Sequence, residues 1–236
     1  MTTSTALPVP LPVLTAGLAA LLLTSGCVPQ DHGWASVYKP EQQNKITVVM
    51  PAGAPSISQQ FLFTTSGAKH LGIDVIGKVG DPVIAVANGR VTGSFTEPAY
   101  GNRVEITHGP DASGRQSLTV YKHLDRRLVA KGDVVARGQR IGTLGTTGML
   151  GGGIPHLHFE LYRQAGAGGK VSADPHRFWV NGVGRVTCFN AGASYDSSRF
   201  AMTYPAPCRT GSSDQAAGQP APEEPRQAAG LEALLQ

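Results

Sequence analysis

Seven histidines are spread over 236 residues, and several of them stand at spacings that could converge on one site. His156-Leu157-His158-Phe159-Glu160-Leu161 reads as a strand. Residues two apart on a strand share a face, so both imidazoles project together while Leu157 and Phe159 face the other way. His70-Leu71-Gly72-Ile73-Asp74 places an imidazole and a carboxylate four apart, again on one face if extended. His123 lies in the strand-like run Tyr121-Lys122-His123-Leu124. Each match is weak alone, because a lone histidine is more often a surface or core residue. Taken together, imidazoles and a carboxylate form a ligand set suited to zinc. Three protein ligands would leave a fourth tetrahedral position open for water, the arrangement of a catalytic centre. A structural zinc would draw on four ligands rich in cysteine, and this chain has three cysteines in all. Spacing alone leaves open which of these histidines would bind the metal.

The elements that must carry these residues are short and β-rich. Strand-like runs are expected at Ile46 to Met50, Gln60 to Thr64, Ile73 to Ile76, Val83 to Val86, Arg90 to Ser94, Arg103 to Thr107 and Ser117 to His123. Two more fall within Lys131 to Leu144, and another at Leu157 to Tyr162. Gly and Pro punctuate the gaps, as in Asn88-Gly89 and Gly109-Pro110, and the chain holds 30 Gly and 17 Pro. Strands at this spacing predict a mainly β fold, an antiparallel sandwich or partly open barrel. Gly80-Asp81-Pro82-Val83 and Gly132-Asp133-Val134-Val135 echo one another as turn-then-strand units, too briefly to make a repeat protein.

The blocks H-L-G-I-D, V-G-D-P-V-I-A-V-A-N-G-R-V, G-N-R-V-E-I-T-H-G, Y-K-H-L, K-G-D-V-V-A-R-G-Q-R-I-G-T-L-G-T-T-G and P-H-L-H-F-E-L follow one another in this chain. In that order they resemble the lysostaphin-like, or LytM-type, zinc endopeptidases over about residues 55–180. The resemblance implies that His70, Asp74 and His158 are the metal ligands, and that His123 and His156 are the two non-ligand histidines. It implies a β-rich groove with Zn2+ on its floor and peptide crosslinks of peptidoglycan as substrate. One of His123 and His156 would be the general base and the other would donate to the oxyanion, without a choice between them. Tyr121 and Asn102 stand at family-typical positions and are read equally well as packing and turn residues. His108 and His176 are expected to be structural. Gly148 to Pro155 departs from the family in carrying Ile154 where glycine usually precedes the proline. Degenerate members of this fold lose ligands and serve as activators of cell-wall amidases or as wall-binding modules, whereas this chain keeps all five site residues. A lipoyl-type carrier is excluded by the lack of a lysine at the Asn88-Gly89-Arg90 tip.

Residues 1–26 carry no charge and include an apolar run from Val13 to Leu23, too short to span a bilayer but fitting the core of an export signal. Cys27 after Thr24-Ser25-Gly26 resembles the lipobox of bacterial lipoproteins, which implies a lipid on Cys27 and a membrane anchor. Val28 at the next position then implies the periplasmic face of an outer membrane. With Cys27 lipidated, Cys188 and Cys208 are left to pair in an oxidising compartment. The expected organisation is a signal peptide over 1–26, a tether over 27–44, and a LytM-type domain over 45–182. A disulfide-stapled appendage over 183–210 and a disordered tail over 211–236 complete it. The formal charge of +4 suits an anionic wall or membrane surface. No arginine-rich stripe or aromatic platform points to nucleic acid.

Overall fold

Alternation along three strands decides which way the site faces. The computed structural model describes residues 46–63, 69–111, 113–166, 168–196 and 198–209. The expected signal peptide, Cys27, tether and C-terminal tail lie outside the described residues. Twelve strands run in chain order as β1 Ile57–Gln59, β2 Leu62–Phe63, β3 Lys69–His70, β4 Gly72–Ile76, β5 Pro82–Ile84 and β6 Gly89–Glu97. They continue as β7 Gly101–His108, β8 Ser117–Arg127, β9 Val134–Val135, β10 Arg140–Leu144, β11 His156–Ala165 and β12 Gly169–Ala173. On β11, Leu157, Phe159 and Leu161 are fully buried in the core, as are Ile73 and Val75 on β4. Period two therefore turns His156, His158 and Asp74 to the opposite face.

Ten of the strands form one antiparallel sheet that is not closed into a barrel. Its central path runs β1-β4-β11-β8-β7-β6-β9; β12 pairs with β11, and β10 joins β5 to β8. The mainly β expectation holds, with β2 and β3 as a separate antiparallel pair. The run Ile46 to Met50 makes only a bridge, Val49 to Arg185, because it has no partner strand along its length. β12, Gly169-Lys170-Val171-Ser172-Ala173, lies outside the expected runs, because its alternation rests on Val171 and Ala173 alone.

Two registers bring the candidate residues together. His158 lies opposite Asp74 on one side and Lys122 on the other. Gly72 permits this approach, since a Cβ there would sit 2.2 Å from the Phe159 carbonyl oxygen. The core behind the sheet is completed by Trp179, Val186, Met202 and Tyr204, from a segment stapled by a Cys188–Cys208 disulfide with Cα atoms 5.8 Å apart. Among the described residues, no helix is long and apolar enough to cross a membrane.

Candidate metal centre and active site

β3 ends at His70, β4 carries Asp74, and β11 carries His158. Their donor atoms meet: His70 Nε2 and Asp74 Oδ1 are 3.1 Å apart, His70 Nε2 and His158 Nδ1 3.1 Å, and His158 Nδ1 and Asp74 Oδ1 2.7 Å. A tetrahedral zinc with ligands at 2.0–2.1 Å separates its donors by about 3.3 Å, near the two 3.1 Å separations and wider than the 2.7 Å one.

The outer nitrogens say why these atoms converge. His70 Nδ1 lies 2.8 Å from the Gln60 carbonyl oxygen and can only donate to it. In the neutral ring, that leaves Nε2 as a bare lone pair aimed at the centre. His158 has a carboxylate on each side, Glu160 Oε1 3.0 Å from Nε2 and Asp74 Oδ1 2.7 Å from Nδ1, and the tautomer with its proton on Nε2 leaves Nδ1 bare. In the tautomers that place both protons on these outer nitrogens, two lone pairs and a carboxylate oxygen face one another, an arrangement that a cation satisfies. His70, Asp74 and His158 form the one such triad of His, Cys, Asp or Glu found among the described residues. The donor set fits zinc.

The three groups are also strongly coupled electrostatically. Burial alone would raise the carboxyl of Asp74, but the neighbouring His158 and His70 outweigh it and hold the group well below the usual carboxylate range. Burial also disfavours charge on His158, and the Asp74 and Glu160 carboxylates beside it reverse this and raise its pKa.

His123 and His156 flank the triad. Their rings are 4.8 Å apart, and the His123 ring is 6.1 Å from that of His158. His156 Nε2 stands 4.0 Å from Asp74 Oδ1. Each donates Nδ1–H to a backbone carbonyl, His123 to Thr147 and His156 to Ile154, both at 2.8 Å. With Nδ1 so committed, Nε2 is the nitrogen left to each ring for other chemistry. Burial pushes the pKa of His123 down, against the carbonyl of Thr147, which raises it.

His123 reaches this position through a backbone irregularity. With φ at 60°, it is the only described residue other than glycine in the left-handed region. The register with β7 slips here, pairing Asn102 with Leu124 but Val104 with Tyr121. This bulge places Leu124 in the core and lifts His123 out of strict alternation.

Of the remaining sequence candidates, Tyr121 is fully buried, and its hydroxyl accepts the Val86 N–H. Asn102 donates its side-chain amide to the Asp125 carbonyl and its backbone N–H to Thr147 Oγ1. Both support the site from behind it. His108 is buried between Asn88 and Thr119, away from the triad. His176 accepts from Trp179 Nε1 and donates to the Gln60 side chain, so it steadies the residue whose carbonyl orients His70. Gln60, Glu160 and the Thr147 and Ile154 carbonyls were not anticipated. Only Glu160, two residues beyond His158 on the same face, left a signal in the sequence.

Residues 68–174, which span this whole constellation, match Peptidase family M23. The chain carries an M23 peptidase domain. This M23 domain is 44% identical over 94 residues to the peptidoglycan DD-endopeptidase ShyA of Vibrio cholerae, covering 40% of this chain and 20% of ShyA. It is 37% identical over 100 residues to the murein hydrolase activator NlpD of Escherichia coli, covering 42% of this chain and 24% of NlpD. The chain thus matches about a quarter or less of the length of these relatives. Among solved structures, the catalytic domain of lysostaphin from Staphylococcus simulans is 26% identical with a TM-score of 0.42, over 51% of this chain and 89% of that one. A zinc-containing peptidase from Vibrio cholerae is 33% identical with a TM-score of 0.39, over 47% and 36%.

Proposed function

We propose that this protein is a zinc-dependent endopeptidase that hydrolyses peptide crosslinks of bacterial peptidoglycan. The observation that carries the reading is the convergence of donor atoms from His70, Asp74 and His158, all within 4.8 Å of one another, beside the rings of His123 and His156. Zinc would be held by that triad, and supplies the Lewis acidity that makes water a nucleophile near neutral pH.

The remaining chemistry belongs to the chain. A neutral His123 or His156 can take a proton from the attacking water at Nε2, because Nδ1 is already committed to a carbonyl. The Nε2–H so formed can then protonate the leaving amine. The other histidine, protonated at Nε2, can donate to the oxygen of the scissile carbonyl as negative charge develops there. Thr147 and Ile154 hold the two rings in place, so little reorganisation accompanies the reaction.

The likeness to ShyA, a peptidoglycan DD-endopeptidase, supports a D-amino-acid crosslink of a meso-diaminopimelate wall as the bond cut, in preference to a pentaglycine bridge. NlpD favours a second reading, in which the domain activates a cell-wall hydrolase without cutting. The complete five-residue site supports the catalytic reading over this one. The envelope location and a lipid on Cys27 are part of the same proposal, supported by the lipobox-like residues 24–27. Digestion of both wall types, with products read by mass spectrometry, identifies the bond. Release from neither wall, together with stimulation of an added amidase, would favour the activator.

A further inference from the structure

The face of the sheet that carries the triad also buries a pair of charges that the reaction does not use. Glu160 Oε1 lies 3.0 Å from Lys122 Nζ and 3.0 Å from His158 Nε2, while Oε2 accepts the Tyr162 hydroxyl at 3.1 Å. The side chains of Lys122 and Glu160 are 2% and 4% exposed. The Tyr100 ring caps Lys122, with Nζ 3.6 Å from its centroid. The β8–β11 register sets Lys122 opposite His158, and strand alternation sets Glu160 on the same side.

We propose that the Lys122–Glu160 pair is a positioning device for the metal centre: Glu160 fixes the proton of His158 on Nε2, and Lys122 holds Glu160 where it can do so. The inference rests on reading His70, Asp74 and His158 as a metal site. The alternative tautomer explains the need. A proton on His158 Nδ1 would bond directly to Asp74 Oδ1, only 2.7 Å away, and would mask two of the three ligand atoms at once. An acceptor on Nε2 favours the tautomer that leaves Nδ1 open. The carboxylate could also turn away from the ring; Lys122 and Tyr162 bind both of its oxygens and prevent this. Stability alone is a poor account of the pair, since a buried ion pair is often replaced by apolar groups without loss.

The test compares zinc affinity, by competition with a chromophoric chelator, in the full chain and two double variants. Lys122→Met with Glu160→Leu removes both charges and the acceptor; Lys122→Met with Glu160→Gln removes both charges but keeps an acceptor for Nε2. The leucine variant should bind zinc about 10- to 100-fold more weakly, with the glutamine variant recovering most of the loss. A leucine variant that folds and binds zinc as tightly as the unaltered chain overturns the proposal while leaving the metal centre standing. An unaltered chain that binds no zinc overturns the metal reading itself. Independently of any variant, nitrogen NMR of the metal-free chain, at a pH where His158 is neutral, should find its proton on Nε2. A proton on Nδ1 refutes the proposal even if both variants fail to fold.

Discussion

At the scale of single residues, four imidazoles share one design: each commits one nitrogen to an acceptor and offers the other to the site. The acceptors are the Gln60, Thr147 and Ile154 carbonyls and the Glu160 carboxylate. The proposed ligands and the proposed proton-transfer residues should therefore separate on mutation. His123→Ala and His156→Ala should each keep one zinc per chain and lose activity by about 10²- to 10⁴-fold. Asp74→Asn should lose the metal and the activity together; metal analysis beside turnover distinguishes the two classes. The histidine pair at 156 and 158 and the spacing from His70 to Asp74 were legible because strand alternation maps spacing onto a face. The two carbonyl acceptors were not legible, since a backbone group carries no signature of residue type. Nor was the conformation of His123, whose positive φ depends on the bulge against β7 rather than on its own identity.

At the scale of elements, the site depends on β4 lying close against β11. Gly72 lies between His70 and Asp74, where any side chain would meet the Phe159 carbonyl and then Glu160. Gly72→Ala should push the two strands apart, costing about 1–3 kcal/mol of stability and weakening zinc binding in the same variant. Denaturant melting and chelator competition would read the two effects; unchanged affinity would mean that the triad tolerates a displaced β4. Most strand positions could be read from apolar alternation and Gly/Pro punctuation. The exceptions are instructive: Ile46 to Met50 is apolar enough for a strand but lacks a neighbour, and β12 is recruited by pairing with β11 rather than by its own pattern.

At the scale of the molecule, the core behind the sheet draws on residues far apart in sequence, from Ile73 to Ala206. The Cys188–Cys208 staple closes a separation of 20 residues, so its removal should cost about 3 kcal/mol in the chain-entropy model. Melting of a Cys188→Ala/Cys208→Ala variant checks this. His108 adds a pH dependence: burial lowers its pKa to about 4, partly opposed by its bond to Asn88 and reinforced by Arg137. The unfolded chain then binds a proton between about pH 6.5 and pH 4 that the fold does not, so stability should fall as pH drops through that window, by at most about 3 kcal/mol. His108→Gln should flatten this part of the profile in urea melts performed with chelator; an unchanged slope would assign it to the carboxylates. Neither the depth at which His108 sits nor its contact with the C-terminal segment through Phe200 follows from local sequence, because both arise from long-range packing.

The most direct test of the account is to strip the metal from the purified full chain, add zinc back in steps, and follow release of crosslink peptides from intact peptidoglycan. The account predicts no release from the stripped protein, recovery that saturates at one zinc per chain, and none in His156→Ala despite equal zinc binding. Undiminished release after complete metal removal, or one bound zinc with no release from any wall, would contradict it.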